Sequence, residues 1–412
     1  MHKRVELLAP VGSFESLHAA INVGCDSIFF GITQLNMRAK SAANFNFEDL
    51  KQIAEICHRN KVKAYLTLNT ILYDHDIKLA YKIIDAVKTS GIDSIIASDM
   101  AAIEYANKVG VNVHISTQVS ISNIEALKFY ANYCNVVVLA RELTLPMIKK
   151  VCNQIVEQNI RGKNGELIKI EVFGHGAMCV AVSGRCSMSL LTDNSSANRG
   201  ACMQNCRRSY RVIDKDTNTA LDIENDYVMS PSDLCTIGML DELVNSGIDV
   251  IKIEGRGRSA DYVDTVIRTY REALNSIYEG TYNKTKIKQW NKELGTVYNR
   301  GFNHGFYLGK PVVEWSGIYG NKATKQRVFV GTVKKFYSKP MVAEILLEAG
   351  ELSNIDEFQI SGDTTGIIRG KKHEIWLEDK NVPKAGKGSL ITMKLDNKVR
   401  SGDRVYRIDK VS

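Results

Sequence analysis

The chain has 412 residues, 44% hydrophobic and 24% charged, an ordinary globular composition with enough apolar material for more than one core. No uncharged apolar run approaches the length that crosses a bilayer, and no apolar segment follows the basic start at Met1-His2-Lys3-Arg4, so a cytoplasmic location is expected. Nine cysteines are too few for a disulfide scaffold, and a net charge of +8 is compatible with a polyanionic partner without requiring one.

Short apolar runs rich in β-branched residues punctuate the first 250 residues: Val5–Ala9, Asp26–Gly31, Val62–Leu68, Ser94–Ser98, Val113–Ser116, Val136–Ala140, Ile168–Phe173 and Asp249–Ile253. Between them, Phe47–Arg59, Ile77–Ser90 and Leu143–Gln158 carry apolar residues at spacings of three and four, as helices covering a sheet do. Eight such units, with no glycine-rich dinucleotide turn after the first strand, favour a (β/α)8 TIM-type barrel over a doubly wound sheet. The expected barrel domain spans residues 1–310, with a cysteine-rich insertion at 174–248 between the last two strands.

Asp261–Gly280 reads as the last helix, and the glycine- and aromatic-rich stretch Arg300–Pro311 reads as a boundary, followed by a linker at 311–325. Six strand signals follow: Val328–Phe336, Met341–Leu347, Glu357–Ser361, His373–Leu377, Ser389–Leu395 and Asp403–Ile408. They predict a small β-barrel or sandwich over residues 326–412. From Lys325 onward there are 17 Lys and Arg against 12 Asp and Glu, so this part holds most of the net positive charge.

Five cysteines fall in the insertion, as Cys179-x6-Cys186-x15-Cys202-x3-Cys206-x28-Cys235. Four thiolates can close a tetrahedral zinc site or hold a [4Fe-4S] cluster, and zinc ribbons show two close pairs where this spacing has one. The wide spacing therefore favours a cluster, with zinc and unligated thiols as the alternatives. Cys25, Cys57, Cys134 and Cys152 lie in or beside apolar segments and read as buried structural thiols. Arg185, Arg199, Arg207, Arg208 and Arg211, interleaved with the cluster cysteines, read either as phosphate or carboxylate binders or as solvated surface charge.

Glu171, Phe173, Gly176, Ala177, Met178, Cys179, Gly184, Cys186, Met188 and Ser189 satisfy the pattern Glu-x-Phe-x2-Gly-(Ser/Ala)-aliphatic-Cys-x4-Gly-x-Cys-x-aliphatic-Ser. With Leu8-Ala9-Pro10-Val11-Gly12, Asn198-Arg199-Gly200-Ala201-Cys202, Ser232-Asp233-Leu234-Cys235 and Lys252-Ile253-Glu254-Gly255-Arg256, the chain resembles the collagenase-like peptidase family, peptidase family U32, over most of residues 1–310. The resemblance implies hydroxylases of tRNA uridine, of ribosomal RNA cytidine or of quinone precursors, with iron-sulfur cysteines and, for tRNA, prephenate as hydroxyl donor. It also implies Cys179, Cys186 and Cys202 as cluster ligands, with Cys206 or Cys235 completing the set. The C-terminal segment, with Val330-Gly331-Thr332-Val333 and Asp356-Glu357-Phe358-Gln359-Ile360, resembles the second-domain barrel of translation elongation factors, which favours the tRNA branch.

Glu171 and His175 at the end of the seventh strand and Glu254 and Arg256 at the end of the eighth are the candidate catalytic residues, because barrel chemistry collects at strand C-termini. His175 or Glu254 would serve as acid or base, and Arg256 or Lys252 would hold a phosphate or carboxylate. A plain ion pair of Glu254 with Arg256 is the structural alternative. Ser116-Thr117-Gln118, Arg141-Glu142, Asn36 and Arg38 together would complete the pocket floor, while each singly reads as an ordinary polar loop cap. A peptidase is the second expectation, although no His-Glu-x2-His helix or Gly-x-Ser-x-Gly elbow is present. An RNA-binding factor with a structural metal is the third.

Overall fold

The computed structural model describes residues 4–40, 43–211, 213–219, 229–309, 316–317, 320–371 and 373–411. Eight parallel strands close into a barrel: β1 (Glu6–Pro10), β2 (Ser27–Phe30), β3 (Lys63–Leu68), β4 (Ser94–Ala97), β5 (Asn112–Ile115), β6 (Val136–Val138), β7 (Lys169–Gly176) and, beyond a short β8 (Asp233–Cys235), β9 (Val250–Ile253). β7 pairs with both β6 and β9, and β9 closes on β1 with Glu6 opposite Val250. β8 stands outside this ring, antiparallel to the overhanging end of β7 with Cys235 opposite His175, and the two-residue β10 (Phe302–Asn303) adds to it.

The two-residue strand period divides the barrel residues between two cores. Leu7, Ala9, Ile28, Phe30, Leu66 and Ile251 point outward and join the helices in the main apolar core. Leu8, Phe29, Tyr65, Ile96 and Val250 form a separate small cluster inside the barrel. The barrel interior also takes in Glu6, His114, Glu171 and Lys252, so it is polar where most barrels of this type are packed with aliphatics.

The covering helices are α1 (Phe14–Asn22), α2 (Leu50–Arg59), α3 (Asp74–Ser90), α4 (Met100–Val109), α5 (Ile124–Ala131) and α6 (Leu145–Glu157). After α7 (Met188–Asp193) in the insertion come α8 (Leu240–Asn245) and α9 (Ala260–Tyr278). Their starts follow local chemistry. Ser16 N–H donates to Ser13 Oγ at 3.2 Å and Ser13 N–H to Ser16 Oγ at 3.0 Å, a reciprocal cap worth about 1 kcal/mol. Thr144 caps α6, whose first turn takes Pro146 because that position needs no N–H donor.

Two expectations are corrected here. α9 is not the last helix, since α10 (Lys284–Leu294) follows it, buried only through Trp290 and Leu294. Eight of its eleven residues are polar or charged, which hid its period. The Arg300–Gly309 stretch is not a boundary either: Phe302 and Asn303 extend the β8 ribbon, and Tyr307 Oη donates to Phe173 O inside the barrel wall. Residue 310, and residues 311–315 and 318–319 of the expected linker, lie outside the described residues.

The C-terminal part is built from β11 (Lys325–Tyr337), β12 (Val342–Leu347), β13 (Glu351–Ser353), β14 (Glu357–Gly362), β15 (Gly366–Lys371), β16 (Ile375–Leu377), β17 (Lys380–Val382), β18 (Lys384–Gly386), β19 (Leu390–Lys394) and β20 (Arg404–Lys410). All of its pairings are antiparallel, in the order β15-β14-β20-β11-β12-β19-β16-β17, with β13 and β18 as a separate ribbon. Val330, Ile345, Phe358, Ile360, Ile391 and Val405 fill its own core.

This sheet sits on α1 and α9 of the barrel. Gly366 has φ +68° and lies so close to α1 that a Cβ there would come within 2.8 Å of Ala19 N, so only glycine fits the contact. Beside it Arg369 reaches the Asp264 carboxylate and Thr265 Oγ1, and Arg327 reaches Asp261 at 3.3 Å. Burial pushes the Asp264 carboxyl up, and Arg369 and Arg268 oppose that. Arg369→Ala is expected to cost about 2 kcal/mol, as for a lost hydrogen bond to a charged group. Limited proteolysis should then cut first between the two parts, and a melting curve should show the loss.

Candidate functional site

Glu171 and Lys252 face each other inside the barrel from neighbouring strands. Glu171 is 0% exposed; its Oε1 accepts from Lys252 Nζ at 2.8 Å and its Oε2 lies 3.3 Å from His114 Nδ1. The Lys252 ammonium also sits 4.4 Å from the centre of the Phe29 ring. Burial opposes ionisation of Glu171, but Lys252 and His114 outweigh it and hold the carboxyl at about 2.

Above this layer the loops after β2, β3, β5, β6, β7 and β9 enclose a cavity of about 210 Å³ at the C-terminal mouth of the barrel. Among the described residues it is lined by seven basic side chains, Arg38, Arg141, Arg207, Lys252, Arg256, Arg258 and Arg300, and by one carboxylate, Glu254. Glu254 accepts from Arg38 Nη2 at 3.0 Å. Burial alone would raise its carboxyl, yet Arg38, Arg141 and Arg256 together bring it below the ordinary carboxylate value. The expected Glu254 pair with Arg256 is not formed. Arg256, 4% exposed, donates instead from Nη1 to Thr67 Oγ1 at 2.8 Å and to Asn36 Oδ1 at 3.1 Å, while its buried Nε has no hydrogen-bond partner. Burial lowers its guanidinium to about 10, which leaves it charged at neutral pH.

Asn69, Ser116 and Gln118 form an amide and hydroxyl cluster on the opposite wall, with Asn69 Nδ2 donating to Gln118 Oε1 at 3.1 Å. Ser116 and Gln118 are legible as strand-end residues; Asn69 and Thr67 are not, because a lone polar residue after β3 resembles any turn residue.

Cys179, Cys186, Cys202 and Cys206 all line this cavity as free thiols, and Cys235 does not. The insertion brings them together through contacts away from the sulfurs. Asn198 Oδ1 accepts from Cys186 N–H at 3.3 Å, Ser183 N–H and Oγ donate to Glu142 at 2.8 and 3.1 Å, and Arg199 clasps Asp76 at the start of α3. Arg199 is thereby a structural anchor, while Arg185, Arg208 and Arg211 are exposed. Gly176 has φ +107° and would place a Cβ 2.3 Å from Glu254 O, which explains the glycine of the motif: only a bare backbone lets the thiol loop leave β7 against β9. Burial raises the Cys206 thiol, with the charges of Cys179, Cys202 and Cys186 adding to it and Arg207 opposing. Among the described residues no three His, Cys, Asp or Glu side chains form a ready-made site for a metal ion. The donor set itself is four thiols, the ligand chemistry of an iron-sulfur cluster.

Cys235 lies on β8, buried behind the wall with its Sγ 3.9 Å from Asn291 Oδ1, and burial pushes its thiol up to about 11. His175 is also outside the cavity. It is 2% exposed, packed against Tyr262, Tyr270 and Phe302, with Nδ1 3.4 Å from Tyr270 Oη, and burial lowers its imidazole to about 3. Burial disfavours the charged ring, and aromatics wall it off from the cavity. His175→Phe is expected to leave the pH profile of activity unshifted while costing about 1 kcal/mol of stability for the lost hydrogen bond, read by pH–rate measurements and urea unfolding.

The fold and the mouth define a TIM-type barrel protein whose site is made of thiols and guanidiniums. The chain belongs to peptidase family U32, whose model matches residues 12–317. It is 52% identical to a "Collagenase" of Porphyromonas gingivalis over 98% of both chains. It is 32% identical to "tRNA hydroxylation protein P1" of Bacillus subtilis over 96% of this chain and 93% of that one. A 23S rRNA 5-hydroxycytidine synthase of Escherichia coli is 33% identical over 67% of this chain and 40% of its own length. No helix among the described residues is long and apolar enough to cross a membrane.

Proposed function

We propose that the chain is an RNA hydroxylase that forms 5-hydroxyuridine at the wobble position of tRNA, with a [4Fe-4S] cluster on Cys179, Cys186, Cys202 and Cys206 and prephenate, or a similar small dicarboxylate, as hydroxyl donor. The observation that carries it is the cavity, where, among the described residues, four thiols meet seven cations and a single carboxylate. Such an excess of positive charge, part of it buried, calls for anionic occupants, and cluster thiolates plus a dicarboxylate supply them. Bound there, the cluster supplies a one-electron centre beside the reacting groups.

The chain's own residues divide the remaining work. Arg256, with an unpartnered buried Nε, and Lys252 hold the carboxylates. Glu254 is the one carboxylate positioned to take or return a proton at the cavity face. Asn69, Ser116 and Gln118 offer hydrogen bonds to the edge of an extruded pyrimidine, and the basic C-terminal sheet holds the RNA by its phosphates. The names of the relatives in Bacillus subtilis and Escherichia coli point to the same class of reaction.

Deletion of the gene should remove wobble 5-hydroxyuridine and its derivatives from total tRNA by nucleoside mass spectrometry; an unchanged profile rejects the tRNA substrate. Peptidase action is the second reading, favoured by the name of the 52% identical relative. No histidine lines the cavity, so no thiol or hydroxyl in it has an imidazole base beside it. Cleavage of denatured collagen by the metal-loaded protein, abolished by Glu254→Gln, would establish that reading instead.

A further inference from the structure

Two guanidiniums grip the chain immediately before Cys179. Arg141, just beyond β6, donates from Nη1 to Ala177 O at 3.0 Å and stacks with its Cζ 3.6 Å from the centre of the Phe173 ring. Arg207, next to Cys206, donates from Nη2 to Met178 O and from Nη1 to Pro231 O at 2.8 Å and Ser230 Oγ at 3.0 Å. The carbonyls of the two residues leading into the first thiol are thus each held by a different arginine.

Neither arginine has a carboxylate within ion-pair distance among the described residues. The nearby acids are committed elsewhere, Glu254 to Arg38 at 3.0 Å and Asp233 to Arg300 at 3.5 Å. Carbonyl oxygens satisfy N–H donors but cancel no net charge. Braces for a loop need not be cationic, and a partly buried cation without an ion-paired carboxylate is expensive to keep. Both line the thiol side of the cavity, Arg207 adjoining Cys206 in the chain and Arg141 holding the carbonyl of the residue two before Cys179.

We propose that Arg141 and Arg207 raise the reduction potential of the cluster held by Cys179, Cys186, Cys202 and Cys206. A cluster gains one unit of negative charge on reduction, and fixed positive charge in a poorly solvated site favours that reduced state. Holding the Cys179 loop by its carbonyls keeps the two charges against the thiolates whichever redox state is present. The inference rests on the cluster reading above and assigns these residues a positioning and electrostatic role, with no bond made or broken by either.

The test uses the anaerobically reconstituted full chain, titrated with dithionite in the presence of redox mediators, with the reduced cluster read by electron paramagnetic resonance and iron and sulfide counted in parallel. Arg141→Gln and Arg207→Gln are expected to keep the cluster and lower its midpoint, such that the reduced-to-oxidised ratio at a fixed potential falls about tenfold, equivalent to about 59 mV for one electron. Arg141→Lys and Arg207→Lys, which keep the charge, should stay near the wild-type midpoint. Glutamine variants with full iron content and an unmoved midpoint would overturn the proposal. Loss of the cluster from lysine and glutamine variants alike would overturn it too, by reducing both arginines to loop braces. Wild-type protein that takes up no iron and sulfide fails at the earlier step and rejects the cluster itself.

Discussion

Serine at Cys179, Cys186, Cys202 or Cys206 is expected to remove most RNA hydroxylation and to strip most iron from the anaerobically prepared protein, whereas Cys235→Ser keeps both. The first four thiols line one cavity, and the fifth lies behind it on β8 beside Asn291. A serine hydroxyl is a harder and much poorer ligand to cluster iron than a thiolate, so each of the four variants should lose most of its iron and its hydroxylation. Cys235→Ser only introduces a buried hydroxyl, at about 1–3 kcal/mol. Iron and sulfide analysis with tRNA nucleoside mass spectrometry checks the set. Retained iron in Cys206→Ser together with lost iron in Cys235→Ser would reverse the assignment.

Removing the Glu171 carboxylate should have the largest effect on stability. Glu171→Gln leaves the Lys252 ammonium buried without its counter-ion, at a cost of about 3–5 kcal/mol. Adding Lys252→Met should restore much of that loss while leaving hydroxylation impaired, since Lys252 lines the cavity. The pair also predicts a pH dependence. Because the folded carboxyl sits at about 2 against an ordinary value of 4.5, the unfolded chain binds the proton more readily. The stabilisation is therefore complete above about pH 5 and drains away as pH falls toward 2. Urea midpoints of wild type and Glu171→Gln should converge over that range, and a constant gap between them would contradict the assignment.

Much of the barrel was legible because its strands are short apolar runs with β-branched residues and its helices keep a clear period. The errors have physical causes. α10 carries only Ile287, Trp290 and Leu294 as large apolar residues, too few to mark a helix that leans on the barrel by one edge. The Arg300–Gly309 stretch has turn-forming composition because it wraps a barrel mouth, where backbone must bend closely past side chains. β13, β15, β17 and β18 were missed, three of them only three residues long. Glu171 was read as a strand-end catalytic candidate, whereas barrel closure buries it against Lys252, below the residues that line the cavity.

The amino-acid sequence by itself determined the barrel class, the family and three of the thiols that line the cavity, Cys179, Cys186 and Cys202, since strand period, motif spacing and residue chemistry are local properties. It left Cys206 and Cys235 equivalent, placed His175 among the catalytic candidates and kept an ion pair of Glu254 with Arg256 as the structural alternative. Tertiary structure decided these, because each depends on which wall of a strand or loop faces the cavity. The β8 ribbon turns Cys235 and His175 into the aromatic layer behind the mouth, and the loop after β2 delivers Arg38 to Glu254 from more than 200 residues away in the chain. A side chain's partner is then set by the closure of the barrel, which no local pattern records.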